Sequence, residues 1–246
     1  MSLLNVERIK LTTTRSPWWC TAVATLISFG FALLFALTYK NGRPQGAPPY
    51  DLSLVVSGAA GFGMFVIMIM AALSITTEYR FSIIRTTFQA APRRWQVLSA
   101  KAAFLGVVGL VLGEIFAFGS VLIAKVCNSM PLSLRSSDDW RQVAGIGVVY
   151  ALAAILSVAV GALLRQSAGT IAIILLFPLL VENLVGIIPR VGHDIQKWMP
   201  FRNASNFLGQ RSAPDTLGPW ASLLYFTVVV AVIFGFALFM VQRRDA

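Results

Sequence analysis

Charge is scarce in this chain. Lys, Arg, Asp and Glu make up 12% of its 246 residues, about half the share usual in soluble proteins, and hydrophobic residues make up 57%. So few charges cannot cover a water-soluble body of this length. One histidine, His193, excludes a multi-histidine metal centre and leaves little for histidine-based catalysis. The two cysteines, Cys20 and Cys127, belong to different apolar segments. The topology derived below puts them on opposite sides of a bilayer, so no disulfide is expected. No G-x-x-x-x-G-K-[S/T] phosphate loop occurs, which excludes ATP hydrolysis by that chemistry. Neither G-x-S-x-G nor H-E-x-x-H occurs, so serine or zinc proteolysis is not expected.

What the sequence does have is long apolar runs. Six of them, at about 18–38, 52–76, 102–124, 143–164, 169–188 and 220–241, reach the roughly 20 residues that cross a bilayer as helix. Of 20 basic and 10 acidic residues, only Glu114 and Glu182 fall inside them. The runs are apolar on all sides and do not alternate, so they predict helices and not barrel strands. The first run is too long for a signal-peptide core and lacks a small-residue cleavage site, so a retained helix is expected.

The net charge of +10 lies mostly between the runs. It is explained by topology and by anionic headgroups, with no need for nucleic acid. With both termini inside, the cytoplasmic side holds 11 Lys and Arg against three acids; the outer side holds nine against five. The third run carries Gly106, Gly109 and Gly113, the last two forming a G-x-x-x-G step. Such positions let helix backbones approach closely, within one bundle or between subunits.

Residues 77–101 read TEYRFSIIRTTFQAAPRRWQVLSAK. Five basic residues fill a connection that needs only a few residues. Phe81, Ile84 and Phe88 fall at i, i+3 and i+7, one stripe of a helix, with Arg80 and Arg85 beside it. Pro92 ends the pattern. A short amphipathic helix on the cytoplasmic face fits, either resting on anionic headgroups or docking a partner.

Glu78-Tyr79-Arg80, Ile84-Arg85-Thr86-Thr87, Pro92-Arg93-Arg94 and Leu98-Ser99-Ala100-Lys101 together resemble the first cytoplasmic loop of ABC type-2 permeases, closest to small actinobacterial ones. The opening Glu7-Arg8-Ile9-Lys10-Leu11 and Thr14-Arg15-Ser16-Pro17-Trp18-Trp19 is similar to theirs, and so is the six-span layout. Relatives often carry Gly-Thr where this chain has Ser82-Ile83. The resemblance implies an N-terminal connecting helix, although the charges of that segment are spread around the helix. It also implies a coupling helix after the second span, seated in a groove of a separate nucleotide-binding ATPase subunit. Glu78, Arg80, Phe81, Ile84, Arg85 and Phe88 then become coupling candidates. ATP and magnesium would sit on that partner, with no cofactor on this chain. A second permease, identical or homologous, would complete the pathway.

Glu114 and Glu182, the latter followed by Asn183, are the intramembrane polar candidates. Such a carboxylate can line a substrate path, bridge helices, or sit near an interface. Pro178 is expected to kink or break the fifth span, turning Glu182 to the outer side. The outer loop 189–219 carries Ile195, Trp198 and Met199 at helical spacing, with Phe201, Phe207 and Leu208 as further apolar anchors. It predicts short helices at the outer leaflet.

The expected architecture is thus one all-α membrane domain, 1–246. It has six spans, a connecting segment, a coupling helix and short outer helices, in the plasma membrane. The expected function is the permease of an ATP-driven exporter. Met64, Phe65, Met68 and Met70 suit an amphiphilic or hydrophobic cargo such as a drug, lipid or lipid-linked molecule, though such side chains at helical spacing more often serve plain packing. The rivals are a proton-coupled transporter using Glu114 or Glu182, and a non-transporting membrane partner of a regulatory ATPase.

Overall fold

The computed structural model describes residues 3–40, 42, 45–46, 50–84, 87, 93–127, 134–188, 191–210 and 217–243. All regular structure among them is helical. An N-terminal helix, α1 (Leu3–Thr13), precedes α2 (Arg15–Thr38). A single turn, α3 (Leu52–Val55), leads into α4 (Ala59–Arg80), followed by α5 (Arg94–Cys127), α6 (Ser137–Leu164) and α7 (Ser167–Val185). Two short helices, α8 (Gly192–Gln196) and α9 (Pro200–Phe207), lie before α10 (Pro219–Arg243). Six of these, α2, α4, α5, α6, α7 and α10, are long and apolar enough to cross a membrane.

The spans depart from the hydropathy reading at several ends, the second starting at Ala59 and the fourth at Ser137. The second runs on to Arg80 and the third begins at Arg94, so Glu78 and Lys101 lie within helix. At 34 residues α5 is about 51 Å long and outruns a ~30 Å hydrocarbon core.

Helix α6 is the centre of the bundle and packs on α4, α5 and α10. A capping box starts it: the Ser136 hydroxyl accepts from the Asp139 N–H, and the Asp139 carboxylate accepts from the Ser136 N–H. Arg165, in a left-handed conformation (φ 56°), ends it. Helix α2 shows the opposite extreme. It buries only Ala24, Ser28, Ala32 and Ala36, one small residue per turn, and turns Leu26, Leu33, Leu34 and Leu37 outward. That narrow stripe of small side chains is how helices approach in lipid.

The glycines of α5 face α6. A Cβ on Gly109 would stand 3.0 Å from the Tyr150 carbonyl oxygen, and one on Gly113 would stand 2.8 Å from Gly147 Cα. Gly106 lies against Ile155. Gly113→Ala must therefore push two backbones apart. The expected loss is about 1–3 kcal/mol in detergent thermal unfolding. Gly30→Ala, with nothing within 4 Å, is expected to be neutral or slightly stabilising.

Of the kink or break expected at Pro178, the fifth span shows no break. A π-turn, Phe177–Val181, absorbs the missing N–H and the helix continues to Val185. A second π-turn, Ala59–Gly63, opens α4, and the Tyr150 hydroxyl donates 2.7 Å to its Ala59 carbonyl. The stripe of Phe81 and Ile84 also needs correction. Helix α4 stops at Arg80, and Ser82 takes φ 58°, a left-handed turn that glycine adopts freely. Phe81 is consequently exposed while Ile84 is buried, so the two do not share a face. Arg85 and Phe88 lie outside the described residues.

Candidate functional site

Four charged side chains meet where α1 crosses the ends of α4 and α5. Lys101 Nζ donates to Glu7 Oε2 at 2.5 Å and to Glu78 Oε1 at 3.0 Å. Lys10 Nζ donates to the same Glu78 oxygen at 2.8 Å and lies 3.5 Å from Glu7 Oε1. Lys101 is 1% exposed, Glu78 5% and Glu7 6%. Burial of that depth isolates charge from water, and only mutual pairing makes it tolerable. Burial works against the Lys10 ammonium, but hydrogen bonding and charge from Glu78, with Glu7 adding to them, outweigh it. Its pKa stands above the ordinary lysine value.

The cluster joins three elements. Residues 7 and 10 sit one turn apart on α1, so both reach inward together. The end of α4 is held on its other side too. The Arg165 guanidinium lies 5.0 Å from the centre of the Tyr79 ring, and Ser167 Oγ donates to Thr76 Oγ1 at 2.9 Å. Helix α4 therefore ends in a clamp made by α1, α5 and the α6–α7 junction. Arg80 and Phe81 emerge from that clamp, exposed, with the guanidinium 5.6 Å from the ring centre.

Of the coupling candidates, the structure brings Arg80 and Phe81 to the surface and buries Ile84. Glu78 faces inward, onto the two lysines. From the sequence, Glu7, Lys10 and Lys101 read as flanking charge and as part of the family-like motifs, with no site role for them. A signal was present: Glu78 and Lys101, of opposite sign, each stand within a turn or two of the helix ends that bracket one loop.

A second polar site lies on the opposite face. Glu182 is 2% exposed, and its two carboxylate oxygens accept from the backbone N–H groups of Phe201 at 2.9 Å and Arg202 at 2.8 Å. These are the orphan donors at the start of α9. At the other end of α9 the Arg141 guanidinium donates to the Phe207 carbonyl oxygen and pairs with Asp138 at 3.1 Å. Carboxylate at the N-terminus and guanidinium at the C-terminus both match the helix dipole. Further bonds pin the cap: Gln196 Nε2 to Glu182 O (3.0 Å), Asn206 Nδ2 to Ser222 Oγ (2.9 Å) and Tyr225 hydroxyl to Trp198 O (2.6 Å). Asn183 Nδ2 donates back to Leu179 O at 2.8 Å, beside the π-turn.

Glu114 stands apart from both sites. It is half-buried and packs over Gly147, where a Cβ would collide with its carboxylate. No described side chain pairs with it. A cavity of about 230 Å³ lies between the two π-turns and α9, lined by Ala60, Met64, Pro178, Asn183 and Ser205 among others. No group of three or more His, Cys, Asp or Glu residues able to hold a metal ion occurs among the described residues.

A family model described as an ABC-2 family transporter protein matches residues 3–181. The match contains the whole ion cluster and stops one residue before Glu182. No curated protein matches the chain.

Proposed function

Because the chain belongs to the ABC-2 family of transporter proteins, we propose that it is the permease subunit of an ATP-binding-cassette exporter. It spans the membrane several times, as its six long apolar helices indicate. In this reading both termini and the α4–α5 connection are cytoplasmic, and the membrane is the plasma membrane. A separate nucleotide-binding subunit carries ATP and magnesium. Two permeases form the pathway, and the cargo is an amphiphilic or hydrophobic molecule.

One observation carries the reading: the buried Glu7–Lys10–Glu78–Lys101 cluster. It makes α1 and the ends of α4 and α5 one mechanical unit directly behind exposed Arg80 and Phe81. A partner that pushes on Arg80, Phe81 and the segment after them moves two spans at once. Ion pairs between buried partners are stiff in the way such transmission needs. The outer cap, α8 and α9, supports an extracellular lid at the far end of the same bundle. Glu182 is engaged with the N-terminus of α9, which makes it unsuited to a proton relay.

The test is copurification in mild detergent after co-expression with any phosphate-loop ATPase encoded beside this chain. The expected result is a stoichiometric complex, with recovery of the ATPase lost at least ~10-fold in Arg80→Glu with Arg85→Glu, because reversed charge is repelled where the original charge was attracted. Unchanged recovery in the double variant would remove this segment as the docking element. Absence of any ATPase from the wild-type preparation would remove the mechanism.

A further inference from the structure

A crevice of about 300 Å³ opens between α1, α4 and α5, alongside the ion cluster. Leu11, Met70, Leu73, Phe104 and Leu105 make its apolar walls. Lys10, Glu78 and Lys101 line its polar end. From Met70 to Phe81 it follows α4 for about 16 Å, half the ~30 Å depth of a bilayer core. The volume is at the small end of the roughly 300–1,000 Å³ of ligand pockets. Such a crevice matches one leaflet: apolar toward the membrane centre and ionic at headgroup level.

The polar end has an unused acceptor. Glu78 Oε1 accepts from both lysines, but Glu78 Oε2, equally buried, has no hydrogen-bond partner among the described residues. Buried carboxylate oxygens are rarely left so. The complementary group is a donor. Lys10 and Lys101 each carry three N–H bonds, and the Lys10 side chain is still 29% exposed, so it can also meet an acceptor. The cluster's two carboxylates and two ammonium groups balance to zero. An anionic headgroup would set further negative charge against Glu7 and Glu78. A zwitterion with its own donor and its own anion fits both needs.

We propose that this crevice binds an aminophospholipid from the leaflet in which α1 lies. The primary ammonium donates to Glu78 Oε2, the phosphate accepts from Lys10, and one acyl chain runs between Leu73 and Phe104. The site does not depend on the transport reading: it is a lipid seat that completes the ion cluster.

The test uses the full chain in proteoliposomes with trace photoreactive-tail phospholipids that share one acyl composition. The headgroups are ethanolamine, its N-methyl and N,N-dimethyl forms, and choline. All four are zwitterionic, and only choline has no N–H. The expected result is several-fold stronger labelling of α4 and α5 peptides by the first three than by choline, with the step falling at the last methyl group. Ser74→Phe, which directs a ring into the crevice away from the ion cluster, is expected to abolish that preference with an unchanged gel-filtration profile. Equal labelling by all four lipids would identify ordinary boundary lipid and overturn the proposal. A donor preference that survives Ser74→Phe in folded protein would also overturn it, by placing the lipid elsewhere. The headgroup series needs no variant, so a misfolded Ser74→Phe leaves it decisive.

Discussion

Lys101→Met is expected to lower stability by about 3–5 kcal/mol, among the largest single losses in this chain. The lysine is 1% exposed and holds Glu7 and Glu78 at 2.5 and 3.0 Å. Methionine fills the same space and keeps the apolar stem, so the packing loss is small. What remains is two buried carboxylates facing each other with Lys10 alone to answer them. Lys10 reaches Glu78 at 2.8 Å but Glu7 only at 3.5 Å, so Glu7 is left with a long, weak contact. The repulsion between the two carboxylates then pushes α1 away from the bundle. The measurement is the unfolding midpoint by size exclusion after graded heating in detergent.

The triple change Glu7→Gln, Glu78→Gln and Lys101→Met separates the cost of burying charge from the loss of the contact. Replacing a buried ionic set by neutral groups of similar volume is often close to neutral, whereas removing one member is not. The triple variant is therefore expected to be more stable than Lys101→Met alone. Strict additivity of the three changes would mean that these residues do not interact, and the clamp on α4 would have to be abandoned. A loss below ~1 kcal/mol for Lys101→Met would mean that water reaches the cluster.

This cluster marks the limit of what the sequence discloses. Six spans are legible because hydropathy is a local property, summed over about 20 neighbouring residues. Their ends are not, because Glu78 and Lys101 look like charges that a helix in lipid must exclude. Each is acceptable inside helix only through charges distant in sequence: they pair with each other across 23 positions, Lys101 also holds Glu7 at a separation of 94, and Glu78 also accepts from Lys10. The same pairing explains why α1 reads as poorly amphipathic: Glu7 and Lys10 turn toward protein and Leu4 and Ile9 turn outward, the reverse of a surface helix. The break at Ser82 is not legible locally, since serine carries no signal for the left-handed turn that glycine favours. The two π-turns leave little or no trace either. Pro178 signals a lost hydrogen bond but not how the helix recovers from it. Likewise, a carboxylate at 182 announces a polar site in the membrane, but nothing local announces that its partner is the start of a helix 19 residues further on.

Glu182→Ala is expected to lower stability by about 2–4 kcal/mol and to loosen the outer cap before the bundle unfolds. The carboxylate satisfies two backbone donors at the start of α9, Phe201 N–H at 2.9 Å and Arg202 N–H at 2.8 Å, of which the first is buried. Alanine leaves both without their carboxylate acceptor at the start of α9, beside the cavity that Glu182 lines. It also removes the negative charge that faces the positive end of the α9 dipole, while Arg141 still holds the far end at the Phe207 carbonyl. Bonds from Asn206 to Ser222 and Leu217 keep α9 fastened to α10, so release is confined to the side facing α7. Tyr225→Phe is the matched comparison. It removes one neutral hydrogen bond, to Trp198 O, from the same cap and is expected to cost only about 0.5–1.5 kcal/mol. Local release can be read separately from global stability by placing a cysteine at Ser205, beside the cavity that α9 closes, in a chain with Cys20 and Cys127 replaced by serine. Below the unfolding temperature, Glu182→Ala is expected to speed its reaction with a membrane-impermeant maleimide, and Tyr225→Phe is not. Equal rates in both variants would mean that the cap is held by its α10 contacts alone. Glu182 would then be released from its capping role and return as a candidate for contact with whatever passes through the bundle.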